Sequence, residues 1–155
     1  MSGSDLTDHE RWMGRAIELA QKAEAAGEVP VGALLVHEGK IIGEGWNQPI
    51  TSRDATAHAE IIALRAASEE INNYRLPAGT SLYVTLEPCP MCAGAMVHAR
   101  IFRVVFGAAD PRAGAAGSVF NILDAKELNH RAEIVPDVMA SHCSELLTNF
   151  FKERR

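Results

Sequence analysis

Along the chain, Trp12, Ala16, Leu19, Ala20 and Ala23 recur at steps of three and four residues until Gly27. That spacing puts apolar side chains on one face of an α-helix. Thr7-Asp8-His9-Glu10 has the form of a capping box and predicts the helix start. The pattern then changes. VPVGALLV and KIIGEGWN are rich in β-branched residues and are separated by His37-Glu38-Gly39, so they read as two strands of a hairpin. A helical period returns from His58 to Ile71, with Ile61, Ile62, Leu64 and Ala67 expected to face inward. SLYVTL reads as a short buried strand, CAGAMVHA as a helix and RVVFGA as another strand, a crossover unit whose two strands should be parallel. AEIVP adds a fifth strand. Val138 to Lys152 closes the chain as a helix, with Val138, Leu146, Leu147, Phe150 and Phe151 available for the core.

This succession predicts an α/β fold: three layers, α/β/α, around a mixed five-stranded sheet. A chain of 155 residues is expected to form a single domain, 1–155, with a substantial core. Hydrophobic residues at 47% and charged residues at 23% are the balance of a globular protein rather than a disordered one. The start, MSGSDLTDHE, lacks the basic and apolar regions of a signal peptide, and no apolar run approaches the roughly 18 residues of a membrane span. The expectation is a cytoplasmic protein without a membrane partner. In a reducing compartment its three cysteines point to metal binding or reactivity before disulfides.

Two of those cysteines stand in TLEPCPMC, at the predicted start of a helix. Residues three apart there share a face, and the positive helix end favours thiolate, so Cys89 and Cys92 can address one centre. Alone, the pair fits either a metal site or a thioredoxin-type redox motif. A third ligand is needed for a metal, and His58 in AHAEII, also at a helix start, is the best candidate. In an α/β sheet such helix starts can meet at one edge. His58, Cys89 and Cys92 would hold Zn2+ with an open fourth position, the arrangement of catalytic rather than structural zinc. Cys143 and His142 read as a buried thiol and an exposed imidazole.

Glu60 completes the set. Two positions from His58 it points to the other side of a regular helix, so both reach one centre only if the helix meets the site end-on. A carboxylate beside water activated by the metal can take a proton and hand it on. A glutamate that merely complements the helix dipole is the plainer reading of the position.

His-x-Glu followed by Pro-Cys-x-x-Cys resembles the signature of the cytidine/deoxycytidylate deaminase superfamily of zinc hydrolases, whose chemistry on nucleobases is well defined. GEVPVGALLV, GEGWN, ATAHAEIIALR, LYVTLEPCPMCAGAMVHARI, VVFGA, AGAAGS and LNHR are similar, over nearly the whole chain, to the bacterial tRNA-specific adenosine deaminases. The resemblance implies a cytidine deaminase-like fold, one zinc per chain on His58, Cys89 and Cys92, and proton transfer by Glu60. It implies conversion of adenosine to inosine at the wobble position of a tRNA anticodon stem-loop by a homodimer. It also implies nucleoside contacts from Asn47, Val31 and the backbone of Ala59, and an RNA contact from Asp110. Plainer readings of Asn47 and Asp110 are turn residues ahead of Pro49 and Pro111.

A formal net charge of -5 argues against a phosphate-rich partner unless basic residues are segregated. Arg100, Arg103, Arg112, His130 and Arg131 follow the zinc motif and the chain ends Lys152-Glu153-Arg154-Arg155, whereas much of the acid lies in Asp5 to Glu28 and Glu69-Glu70. Such runs fit an RNA footprint or solvated faces alike. Three classes therefore remain: an RNA-editing hydrolase, a deaminase of free guanine, cytosine or a nucleoside, and a non-catalytic zinc or RNA-binding module. The third is disfavoured by Glu60 and the open ligand position.

Overall fold

The computed structural model describes residues 3–154, and of residues 3–6 only the backbone. Helix α1 (Gly3–Ala25) is followed by strands β1 (Gly32–His37) and β2 (Lys40–Trp46), a single-turn helix α2 (Pro49–Ser52) and helix α3 (Ala59–Ile71). Then come β3 (Ser81–Leu86), α4 (Pro90–His98), β4 (Arg103–Ala108), β5 (Glu133–Val135) and α5 (Ala140–Glu153). The strands form one sheet in the order β2-β1-β3-β4-β5. β1 pairs antiparallel with both β2 and β3, while β3, β4 and β5 run parallel, as the crossover through α4 requires.

The alternation along each strand separates two cores. Ala33, Leu35, Leu82, Val84, Val104 and Phe106 pack with Ala63, Ala67, Ala93 and Met96 on the α3/α4 side. Leu34, Val36, Tyr83 and Val105 pack with Met13, Ala16, Leu19, Val138 and Cys143 on the α1/α5 side. The sheet is thus covered on both faces and the three-layer expectation holds.

Strand direction positions the site. β1 runs against both of its neighbours, so β2 and β3 point the same way and their carboxyl ends lie at one edge of the sheet. The helices that follow them, α3 and α4, therefore begin at that same edge. Gly45 permits close contact between β2 and α3: a Cβ there would come within 2.5 Å of the Ala59 carbonyl oxygen and 2.6 Å of the Ala63 amide nitrogen. Both obstacles are backbone, so Gly45→Ala should destabilise the protein by about 1–3 kcal/mol. Urea denaturation with an unchanged midpoint would refute that packing argument.

Several sequence expectations shift. Helix α1 starts at Gly3, so Thr7-Asp8-His9-Glu10 lies inside it and does not cap it. No proline stops the helix there. On α3 it is Ala59, Glu60, Ala63, Leu64 and Ala67 that are buried, while Ile61 and Ile62 are half-buried, because the helix is turned to lay Ala59, Ala63 and Ala67 against Gly43 and Gly45 of β2. On α5, Phe150 is buried and Phe151 is 47% exposed, as adjacent helical residues point about 100° apart. The short helix α2 has no apolar face and so no periodicity to announce it.

Candidate active site

His58 is the N-cap of α3, with extended backbone angles, and Cys89 is the N-cap of α4. The loops after β2 and β3 thus deliver both residues just before their helices begin, and Cys92 follows in the first turn of α4. His58 Nδ1 lies 3.7 Å from Cys89 Sγ and 3.5 Å from Cys92 Sγ. All three donor atoms fall within 4.8 Å of one another. Zinc bonds of about 2.0–2.1 Å to nitrogen and 2.3 Å to sulfur, at tetrahedral angles, set N···S edges near ~3.6 Å. The donor set fits the ion in chemistry and in spacing.

The two thiols differ in acidity. Cys89 is lowered to about 4, first by its hydrogen bond with Cys92 and then by His58, while Cys92 is raised because it supplies that hydrogen bond and is buried. His58 is raised chiefly by its hydrogen bond with Cys89. The group already carries a thiolate before the second proton is displaced by a metal.

Glu60 sits in the first turn of α3 and is 4% exposed. Burial, and after it the negative charge of Cys89, raises its carboxyl to about 7. The helix meets the site by its end, and this reconciles the two-residue spacing with a common centre. A carboxyl that titrates near neutrality is matched to taking and returning protons.

Asn47 Oδ1 accepts a hydrogen bond from the Ala59 amide at 2.9 Å, which orients the side chain and leaves its NH2 as a donor. The Asn47 amide in turn donates to the Val31 carbonyl at 3.1 Å, so Val31, Asn47, Ala59 and the His58 segment form one wall. The backbone amide of Ala59 is therefore taken by Asn47. Asp110 lies in the loop after β4, where its Oδ1 accepts from the Arg112 and Ala113 amides at 2.9 and 3.3 Å. One of its oxygens thus serves a turn.

Two buried carboxylates escaped the sequence reading. Glu28 accepts from the Ile50 and Thr51 amides at 3.2 and 2.6 Å and from the Thr51 hydroxyl at 2.6 Å, anchoring α2 beside Asn47. Glu87 does the same for the loop after β4. The available signal was an acidic residue inside an apolar, proline-flanked run, GEVPV and TLEPC, with no basic residue close by.

Burial opposes ionisation of Glu28, but the bonds from Thr51 and Ile50 outweigh it and leave its carboxyl below the ordinary value. A folded-state pKa below the unfolded one contributes stability that is complete above the unfolded value, about 4.5, and is lost as pH falls through the folded one. As the pH falls from about 5 through the unfolded value of about 4.5 and below it, the melting temperature should therefore fall more for the parent than for Glu28→Gln. Parallel melting curves against pH would sink the assignment.

The predicted basic footprint is largely occupied within the chain. Arg103 pairs with Glu133 at 3.1 Å, Arg131 with Asp124 at 2.6 Å, and His130 Nε2 bonds the Ile101 carbonyl at 2.6 Å. Arg112 and Arg154 instead line a cavity of about 490 Å³ with Val29, Leu86, Asp110 and Phe151. Cys143 is buried, which raises its thiol to about 11, and His142 is exposed.

A mixed sheet with a His-Cys-Cys donor set and a buried glutamate at the edge where two helices begin defines a zinc-dependent deaminase. The chain belongs to the family of the cytidine and deoxycytidylate deaminase zinc-binding region, whose model matches residues 6–108. It is 56% identical over 147 residues to the tRNA-specific adenosine deaminase of Haemophilus influenzae, covering 94% of this chain and 84% of that protein. To the Bacillus subtilis enzyme of the same name it is 46% identical, covering 97% and 92%. A solved structure from work on A-to-I editing by tRNA:A34 deaminases at the wobble position of transfer RNA superposes with a TM-score of 0.85 at 40% identity, over 88% of this chain and 99% of that one. A guanine deaminase from Nitrosomonas europaea is similar at a TM-score of 0.80 but only 25% identity, over 91% and 83%.

Proposed function

We propose that this chain, acting as one catalytic domain, is a zinc-dependent deaminase that converts adenosine to inosine at the wobble position of a tRNA anticodon, in the cytoplasm. The observation that carries the reading is the His58, Cys89 and Cys92 donor set with buried Glu60 beside it, in a chain so similar to tRNA-specific adenosine deaminases.

Zinc held by His58, Cys89 and Cys92 supplies the Lewis acidity that makes hydroxide available from water near neutral pH. Glu60 takes a proton from the attacking water and delivers it to adenine N1 as C6 gains a hydroxyl, then takes the proton of that C6 hydroxyl and passes it to the departing 6-amino group as the C6–N bond breaks. Adenosine and water thus become inosine and ammonia. The carboxyl can change roles because its affinity for a proton is poised near neutrality. The wall of Val31, Asn47 and Ala59 receives the flipped nucleoside, with the Asn47 NH2 as its hydrogen-bond donor.

The anticodon loop lies across the cavity that Asp110, Arg112, Phe151 and Arg154 share. Arg112 and Arg154 supply charge, and the exposed face of Phe151 suits a stacked base. The net charge of -5 does not oppose this, since the attraction needed is local. The active form is a homodimer, supported by a groove of about 600 Å³ between α3 and α4 in which Ile61, Leu64, Tyr74, Ala95 and Ala99 form an apolar surface beside Arg65, Ser68, Glu69 and His98. A fully active monomer by sedimentation would exclude the dimer.

The deciding experiment incubates the protein with bulk tRNA and measures inosine by nucleoside analysis, alongside ammonia release from guanine, cytosine and adenosine. Inosine in tRNA with little release from the free compounds is expected. The reverse pattern would assign the enzyme to small-molecule deaminases.

A further inference from the structure

Glu87 is 2% exposed and stands at the end of β3, two residues before Cys89. Its Oε1 accepts from the Asp110 amide at 3.0 Å, and its Oε2 from the Ala116 and Ser118 amides at 2.9 and 3.1 Å. The Ser118 hydroxyl donates to it as well. Among the described residues no arginine or lysine pairs with this carboxylate, so its charge is met entirely by donors of one loop. Two backbone bonds reinforce the junction, Glu87 N–H to Ala108 O and Ala115 N–H to Pro88 O, both at 2.8 Å. Gly114 leaves room for the carboxylate, because a Cβ there would come within 2.4 Å of it.

The same loop carries Asp110 and Arg112 to the cavity shared with Phe151 and Arg154. One buried side chain therefore ties a potential RNA-contact edge to the strand end that presents the zinc ligands. We infer that Glu87 is a positioning residue for the polynucleotide substrate: it holds the Asp110–Ser118 loop in register with the Cys89 segment, so that anticodon loop and catalytic centre meet in a fixed relation. This inference rests on the RNA-substrate reading above. A purely stabilising bond network would lower the melting temperature without changing how RNA concentration governs the rate, and the two readings are separable on that ground.

The test compares the parent with Glu87→Gln and Ser118→Ala as zinc-loaded full-length protein. Glu87→Gln keeps the shape but turns an NH2 toward amide donors, whereas Ser118→Ala removes one donor and leaves the carboxylate. Charge-assisted bonds being stronger than neutral ones, Glu87→Gln should raise the half-saturating concentration of an anticodon stem-loop by about tenfold or more, and Ser118→Ala less in the same direction. The single-turnover rate at saturating RNA should stay within about threefold of the parent, with zinc at one per chain, as expected for lost uniform binding. Amide hydrogen exchange across 110–118 should accelerate in both variants. An unchanged half-saturation, or a rate loss that tracks zinc loss, overturns the inference. If Glu87→Gln does not fold, Ser118→Ala decides. If the parent makes no inosine in RNA, the proposed function fails, and exchange then judges the clamp alone: unaltered protection overturns it and faster exchange upholds it.

Discussion

Glu60→Gln should slow inosine formation by ~10² to 10⁴ or more while zinc content and stem-loop affinity stay near the parent's, because loss of general acid–base catalysis alone accounts for that range. The amide fills the same buried volume and cannot carry a proton from water to N1 or to the leaving amine. Its effect on stability should have the opposite sign. Burial raises the Glu60 carboxyl to about 7, above its unfolded value, so above pH 4.5 ionisation of the unfolded chain draws progressively against folding. Gln escapes that penalty, and the variant should melt at or above the parent temperature near pH 7. Metal per chain, RNA binding, melting temperature and single-turnover rate measured on one preparation separate the outcomes. Loss of zinc would make Glu60 a ligand, and inosine formed at the parent rate would place the proton carrier elsewhere.

Cys89→Ser, Cys92→Ser and His58→Ala should each abolish stoichiometric zinc and reduce deamination to background, whereas Cys143→Ser keeps both. The contrast follows from placement: three donors converge within 4.8 Å, and Cys143 is buried on the α1/α5 side of the sheet. A chelator should silence the parent and added zinc restore it. Cys92 belongs to the α3/α4-side core and Cys89 packs against it, but other residues form most of that core and all of the one on the opposite face, so the metal-free chain should remain folded but melt lower. Free zinc at about 100 times its Kd adds about 2.7 kcal/mol to a protein that binds it only when folded. Retention of full zinc and activity by Cys89→Ser, tested by elemental analysis on the purified variant, would remove that residue from the ligand set.

The sites these two experiments address were legible in very different degrees. Helix and strand periods in 12–23, 58–71, 81–86 and 103–108 reflect which side chains can share a face within one turn or one pleat, so a short window of sequence holds the information. The zinc set was legible because Cys89 and Cys92 are near neighbours and His58 opens a helix. The burial of Ile61 and Phe151 was not, since helical phase depends on which neighbour the helix meets and how closely, and on α3 that distance is set by Gly43 and Gly45 across the interface.

By itself the sequence determined the order of the strands and of the longer helices, the Cys89–Cys92 pair and the carboxylate of Glu60 two positions from His58. Each is written in residues a few positions apart, whereas the meeting of His58 with Cys89 spans 31 positions. Only the tertiary structure decided that Glu28 and Glu87 are buried anchors rather than surface charges, and that Arg103 and Arg131 are engaged in ion pairs while Arg112 and Arg154 line the cavity with Phe151. The partners of those groups lie 23, 31, 30 and 7 residues away, and for all but the last the contact exists because the fold brings distant segments together, Arg103 and Glu133 as paired residues of β4 and β5. A charged side chain looks the same in sequence whether water or three amide donors will solvate it; which one does is settled by where the strands put it.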